Sequence, residues 1–223
     1  MLKPTRSRTH SPVPPRRKAA HLWNLDPGEH YCEPHWCSER LFEAEPFAGS
    51  VLDPCAGFGR IPEAARAAGF TTYAGDIVDR GCAGGLGFRG DFLVFTVPAT
   101  NVVFNPPFTK IREFVDHALT LATCKVAAIV PTRRLNAMGQ WLAVTPLYRV
   151  WMLTPRPSMP PGSYIAAGHK VGGGTADFCW CVWLQGFNGK PTIEWLHRDK
   201  IGLDRISINP DAQPGAPRRE ERT

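Results

Sequence analysis

An apolar run, Thr100-Asn101-Val102-Val103-Phe104, stops at Asn105-Pro106-Pro107-Phe108. The run is rich in β-branched and aromatic residues. Two successive prolines can neither extend a ladder nor donate a backbone hydrogen bond, so it reads as a buried strand ended at its carboxyl tip. In an open parallel sheet that edge is where loops converge on a ligand crevice. The fixed φ of each proline holds the Pro106 carbonyl stiffly, and the side-chain oxygen of Asn105 is a second acceptor beside it. Two adjacent acceptors suit an amino group with two hydrogens, and Phe108 adds a flat apolar face for a planar ring. Taken alone the tetrapeptide is equally a turn after a strand.

The segments upstream change that balance. Ser50-Val51-Leu52-Asp53 is a short strand ending in an acid, Pro54-Cys55-Ala56-Gly57-Phe58-Gly59 is a glycine turn, and Ile61 to Ala68 has a helical pattern ended by Gly69. Strand, tight turn and helix bring backbone close to a nucleotide-like ligand. The turn lacks the Lys-Ser/Thr that grips a triphosphate, so phosphate binding is the weaker reading. Thr71 to Ile77 is a second strand whose Asp76 can accept both hydroxyls of a ribose, with a loop-capping carboxylate as the bland alternative. Val78 to Gly90 is glycine-rich and carries no pattern. Asp91 then offers a third acid, suited to an exocyclic amine, with Phe92 against a purine.

Ahead of these lies His30-Tyr31-Cys32-Glu33-Pro34-His35-Trp36-Cys37. Its four potential zinc ligands are spaced too tightly for a structural site, which pairs two separated clusters, so no metal is expected. The preferred reading is an extended lead-in packing over a bound cofactor. A helix from Ser38 to Glu45 follows, capped by Ser38 and burying Leu41 and Phe42.

The rest of the chain alternates in the same way. Ile111 to Thr123 carries a core-facing stripe, Cys124 to Val130 is a buried strand stopped by Pro131, Asn136 to Val144 is helical and Tyr148 to Leu153 is a strand. Thr154 to Ala176, with Pro155, Pro157, Pro160, Pro161 and three successive glycines, reads as a mobile insertion that orders on nucleic acid. Asp177 to Leu184 is a further strand, and Thr192 to Leu196 an edge strand. Such alternation predicts a single doubly wound α/β domain over residues 21–205, its sheet mostly parallel and seven-stranded with a C-terminal antiparallel hairpin. A disordered basic arm, 1–20, and a disordered tail, 206–223, flank it.

A formal net charge of +6 favours a polyanionic partner. Candidate phosphate contacts are Arg133 after the strand at 124–130, and Arg156 and Lys170 in the insertion. No run is apolar enough to span a bilayer and the start has no hydrophobic signal core, so a cytoplasmic location and no membrane partner are expected. Seven scattered cysteines fit reduced thiols better than a disulfide framework.

In this order the motifs resemble the class I S-adenosylmethionine-dependent methyltransferases, specifically the DNA amino-methyltransferases with an Asn-Pro-Pro-Phe signature. The resemblance covers roughly Tyr31 to Gly186 and implies a Rossmann-like fold and S-adenosylmethionine as cofactor. It implies that Asp53, Pro54, Cys55, Ala56, Gly57 and Gly59 wrap the methionine part of that cofactor. Asp76 and Ile77 would take the ribose end, Asp91 and Phe92 the adenine. Tyr31 and Pro34 match the family's Tyr/Phe-x-Thr-Pro lead-in, with Glu33 where threonine is usual. Asn105, Pro106, Pro107 and Phe108 would be catalytic, with Asn105 also beside the cofactor. The implied reaction methylates the N6 amino group of adenine in DNA. Adenine in RNA, a protein amide, and a catalytically silent nucleic-acid-binding module are the alternatives. Little chain remains for a separate recognition domain, so short or relaxed specificity is expected.

Overall fold

The computed structural model describes residues 28–199, so the expected arm at 1–20 and tail at 206–223 lie outside the described residues. Eight strands form one sheet: β1 Val51–Asp53, β2 Thr72–Asp76, β3 Phe88–Arg89, β4 Ala99–Phe104, β5 Ala122–Pro131, β6 Leu147–Thr154, β7 Phe178–Leu184 and β8 Thr192–His197. Their spatial order is β3-β2-β1-β4-β5-β7-β6-β8. Neighbours are parallel except for β7, which runs against both β5 and β6. The expected sheet gains one strand, the two-residue β3. It pairs Phe88 with Gly75 and Arg89 with Asp76, and a Cβ at Gly75 would lie 1.9 Å from the Phe88 ring.

Central strands of such a sheet are apolar on both faces because helices cover both. On one face α3, Ile111–Leu121, packs Phe114, Val115, Ala118 and Leu121 against Val102, Phe104 and Val126. On the other, α1 (His35–Ala44) and α2 (Arg60–Ala67) pack Leu41, Ile61 and Ala65 against Val51, Val103 and Ala127. Two short helices, α4 Arg133–Ala137 and α5 Gly139–Leu142, replace the single one expected at Asn136 to Val144. α1 begins at His35 with Pro34 in the cap position. Ser38 is therefore not its cap, and its buried hydroxyl has no partner.

The proline-rich insertion departs most from expectation. Residues 157–162 are buried, and α6, Gly162–Ala166, follows directly. This half is fastened to the lead-in: Cys32 N donates to Pro160 O at 3.0 Å, Gly162 N to His30 O at 2.8 Å, and Tyr31 bridges Pro161. Prolines fix extended backbone without needing donors of their own, so they can form a packed strap as readily as a loop. The stretch 166–173 is exposed.

At the amino edge of the sheet, remote from the strand tips, the Glu45 carboxylate is buried among donors. It accepts from Lys125 Nζ (2.5 Å), Arg149 Nη1 (3.2 Å) and Trp151 Nε1 (3.0 Å). Lys125 lies over the Phe47 and Tyr148 rings, and Arg149 over Tyr148 and Trp151. Among the described residues no helix is long and apolar enough to cross a membrane.

Candidate active site

The carboxyl tips of β1, β2 and β4 open onto one cleft of about 290 Å³, walled on its outer side by residues 28–33. The turn after β1 forms its floor. Ala56 N donates to Gly75 O and Gly57 N to Asp76 Oδ2, both at 2.9 Å, which folds the turn down onto β2. Gly57 has φ +52 and Gly59 φ +89. A Cβ at the first would lie 2.6 Å from His30 Nε2 and at the second 2.7 Å from Ala83 N, so both positions require glycine.

Asp53 ends β1 with 1% of its surface exposed. Its Oδ1 accepts from Cys55 N at 2.9 Å, while Oδ2 is buried without a partner. Burial pushes this carboxyl well above the ordinary range, and the nearby Glu33 and Asp76 charges add to the shift. Burial likewise raises the Cys55 thiol, which stays protonated and inert. A buried, unpaired carboxyl oxygen facing a cleft is costly to the fold and attractive to a cation. Asp53, Glu33, Asp76 and Asp91 all line the space. Arg60, Arg80 and Lys110 line it as well, so the feature that favours a positively charged group is the unpaired Asp53 oxygen and not the lining as a whole.

Asp76 does more than the sequence suggested. Its Oδ2 holds Gly57 N, and its Oδ1 accepts from Val78 N (2.9 Å) and Arg80 Nη1 (2.7 Å). Of about four lone-pair positions on a carboxylate, protein donors fill three. Accepting both hydroxyls of a ribose would therefore require Asp76 to give up the Arg80 contact. Ile77 beside it is 61% exposed and presents an apolar face to the cleft. Asp91 caps a single 3-10 turn through Leu93 N at 3.0 Å. Phe92 reaches the cleft but is largely core, packed on Phe104, Phe114 and His117.

At the tip of β4 the Asn105 amide is oriented from two sides. Its Nδ2 donates to Tyr31 O at 2.7 Å and to Glu33 Oε2 at 2.9 Å. Both N–H groups are thereby committed to protein acceptors, and Oδ1 is the end left to accept from a ligand. Pro107 lines the cleft beside it. Pro106 is buried, and the Phe108 ring stacks on Tyr31 with centroids 5.6 Å apart and planes at 9°, and meets Phe178 at 5.7 Å with planes tilted by 43°.

Thus the fold gathers Tyr31, Asp53, Pro54, Cys55, Ala56, Gly57, Asp76, Ile77, Asp91, Phe92, Asn105 and Pro107 around one space. Pro34 and Gly59 instead begin helices at its border. Sequence reasoning missed Glu29, Arg60, Arg80 and Lys110, which also line it. Glu29 Oε2 accepts from Thr109 Oγ1 at 2.6 Å and so ties the lead-in to the loop after Phe108. Arg133 stands exposed after β5, and Lys170 is exposed after α6. Arg156, after β6, is paired with Asp177 at 2.7 Å. Among the described residues no three His, Cys, Asp or Glu side chains converge as a metal site.

No protein-family model and no curated protein sequence matches the chain. Solved structures do match its fold. The M protein of the type I restriction enzyme EcoKI aligns with TM-score 0.52 and 16% identity over 78% of this chain and 49% of its own. A provisionally described haemolysin of Lactococcus lactis aligns with TM-score 0.53 and 13% identity, covering 73% and 91% of the two chains. A provisionally described RNA methyltransferase of Pyrococcus horikoshii aligns with TM-score 0.50 and 17% identity, covering 66% and 80%. The shared feature is the Rossmann-like, mostly parallel α/β sheet with its antiparallel hairpin.

Proposed function

We propose that the chain transfers the methyl group of S-adenosylmethionine to the exocyclic N6 amino group of adenine in DNA. One observation carries the reading: the Asn105 amide is held at a strand tip with its nitrogen doubly engaged and its oxygen left to accept, on a cleft floored by carboxylates.

The residues present fit the cofactor. Asp53 Oδ2, buried and without a partner, matches an ammonium group. Gly57 and the turn around it would hold the methionine part, Asp76 and Ile77 the ribose end, and Asp91 and Phe92 the adenine. When bound, the cofactor supplies an electrophilic methyl group on a sulfonium.

The protein's task lies with the nucleophile. An adenine amino nitrogen is weakly nucleophilic because its lone pair is delocalised into the ring. Acceptance of its two hydrogens by Asn105 Oδ1 and the Pro106 carbonyl favours a pyramidal nitrogen whose lone pair points at the methyl carbon. The alkylated nitrogen would be strongly acidic and would pass one of its two hydrogens to water as a proton, so no strong base is needed, and the rate comes from positioning and preset dipoles. Because that nitrogen is paired inside a duplex, the base must be flipped out or presented single-stranded. Tyr31, which lines the cleft, offers the base an aromatic surface, and Phe108 would have to leave its stack on Tyr31 to do the same. Arg133, Lys170 and, on release from Asp177, Arg156 would meet the backbone phosphates.

A labelled-methyl assay on single-stranded DNA, duplex DNA and structured RNA, side by side, tests the assignment. Incorporation at adenine N6 in DNA, above that in RNA, is the expected result. The fold is shared with both a restriction-enzyme M protein and a provisional RNA methyltransferase, so the RNA arm is essential. Label in RNA alone would move the substrate, and label in neither would end the reading.

The raised Asp53 carboxyl gives the cofactor's affinity a pH dependence of known sign. In the free protein Asp53 keeps its proton above the ordinary carboxylate range, and its contribution to stability, full at low pH, is lost as pH rises through that raised value. An ammonium ligand needs the ionised form, so binding expels the proton. Affinity for S-adenosylmethionine should strengthen as pH rises through the raised value and level off above it. Calorimetry in two buffers of different ionisation enthalpy should detect proton release below the plateau. Asp53→Asn should bind more weakly and without that slope; a slope surviving in the variant would assign it elsewhere.

A further inference from the structure

Glu33 is 5% exposed, and burial pushes its carboxyl above the ordinary range. A buried carboxyl is expensive to keep for packing alone. Its Oε2 accepts from Asn105 Nδ2 at 2.9 Å, and its own carbonyl accepts from Arg60 Nη1 at 2.5 Å, which fixes its backbone over the cleft.

We propose that Glu33 is a positioning residue for methyl transfer: its carboxylate locks the Asn105 amide with Oδ1 toward the substrate amine and makes that oxygen a stronger acceptor. The inference rests on the methyl-transfer reading of the site and deepens it.

An amide has two ends of opposite character. Turned over, Asn105 would present N–H groups to an amine whose hydrogens are also donors, and the lone pair would not be drawn out. The Tyr31 carbonyl alone engages one N–H and leaves the amide plane free to swing about that bond. Glu33 engages the other and fixes the plane. Turning the amide over would then set Oδ1 against two acceptors at once. The second effect is electronic. Donation from Nδ2 to an anion draws the amide toward its charge-separated form and raises the negative charge on Oδ1, since linked hydrogen bonds polarise one another. As the methyl group arrives, the substrate nitrogen gains positive charge and its hydrogens become better donors. The Oδ1 contact therefore strengthens toward the transition state more than in the ground state, which is the condition for a rate effect. Arg60 on α2, Asp53 on β1 and the Cys37 thiol on α1 surround Glu33. Of these Arg60 favours its ionised form and Asp53, once ionised, opposes it.

The test uses the full chain, ¹⁵N-labelled, with the Asn105 side-chain resonances identified by their loss in Asn105→Asp. In the unaltered protein those resonances should move with pH along an ionisation above the ordinary carboxylate range, and that movement should vanish in Glu33→Gln. In parallel, Glu33→Ala should lower kcat about 10- to 100-fold, the scale of a misplaced reacting group, with KM and cofactor Kd changed less than about threefold. Glu33→Gln keeps an oxygen that can accept from Nδ2 but loses the negative charge, so it should restore the orientation and only part of kcat, while losing any acid limb due to Glu33. Thermal unfolding checks that each variant folds, and the near-isosteric Gln variant decides the matter if the Ala variant does not. Asn105 resonances that ignore pH, or an unchanged kcat in Glu33→Ala, would overturn the proposal. Coupled resonances in a wild-type chain that methylates nothing would support the Glu33–Asn105 link and remove the reaction assigned to it.

Discussion

Asn105→Ala is expected to lower methyl transfer by about 10²- to 10³-fold, the cost typical of deleting one preset polar group at a reacting centre. Cofactor affinity should change little, because the groups proposed to hold it lie on the β1 turn and the tips of β2 and β3. The substitution removes the amide oxygen and also releases Tyr31 O and Glu33 Oε2, which both bind its nitrogen. Part of the loss will therefore come from a loosened lead-in. Comparing single-turnover rates with calorimetric binding separates the two contributions. A variant that turns over at nearly the unaltered rate would show that the amine is activated by something other than this oxygen.

The largest effect on stability is expected at the opposite edge of the sheet. Glu45 is 1% exposed and accepts from Lys125, Arg149 and Trp151. Glu45→Ala would leave the Lys125 ammonium, itself buried, without its carboxylate. Breaking a buried pair from one side costs about 3–5 kcal/mol. For a domain of this size that corresponds to a fall in Tm of roughly 10 °C, at about 2–4 °C per kcal/mol. Calorimetric unfolding measures it directly. Cofactor affinity of the protein that remains folded should be unchanged, since the cluster lies at the strand ends remote from the cleft. A Tm shift of only a degree or two would mean that Lys125 finds enough compensation from Pro46 O and the Phe47 and Tyr148 rings.

Where local chemistry and tertiary structure agree, the sequence was a good guide. Val51 to Arg60 could be read as strand, turn and helix because Gly57 and Gly59 sit where the backbone needs positive φ. Asp76 and Asn105 stood out because each closes an apolar run. What escaped was set by contacts between distant segments. β3 has two residues and exists because Gly75 leaves room for Phe88, which no periodicity reveals. The prolines at 157 to 161 look like a loop until the lead-in is known to bond them. Ser38 has the right chemistry for a cap, but Pro34 already begins the helix one turn earlier. The one signal that pointed beyond the motif was a mismatch. Glu33 stands where the resembling family has threonine, and its consequence could be seen only once Asn105 lay 2.9 Å away.

The strap formed by residues 30–32 and 160–162 joins chain segments synthesised far apart. A nascent polypeptide that has emerged only as far as Asn105 already carries Asp53, Asp76 and the Asn105 and Arg60 contacts of Glu33, yet the lead-in still lacks the Pro160 to Gly162 backbone that fastens it over the cleft. Competence to capture the ligand should thus arrive late in translation, as a step and not a gradual gain. Ribosome-stalled chains of increasing length, probed for S-adenosylmethionine crosslinking, should label only once Gly162 has cleared the exit tunnel.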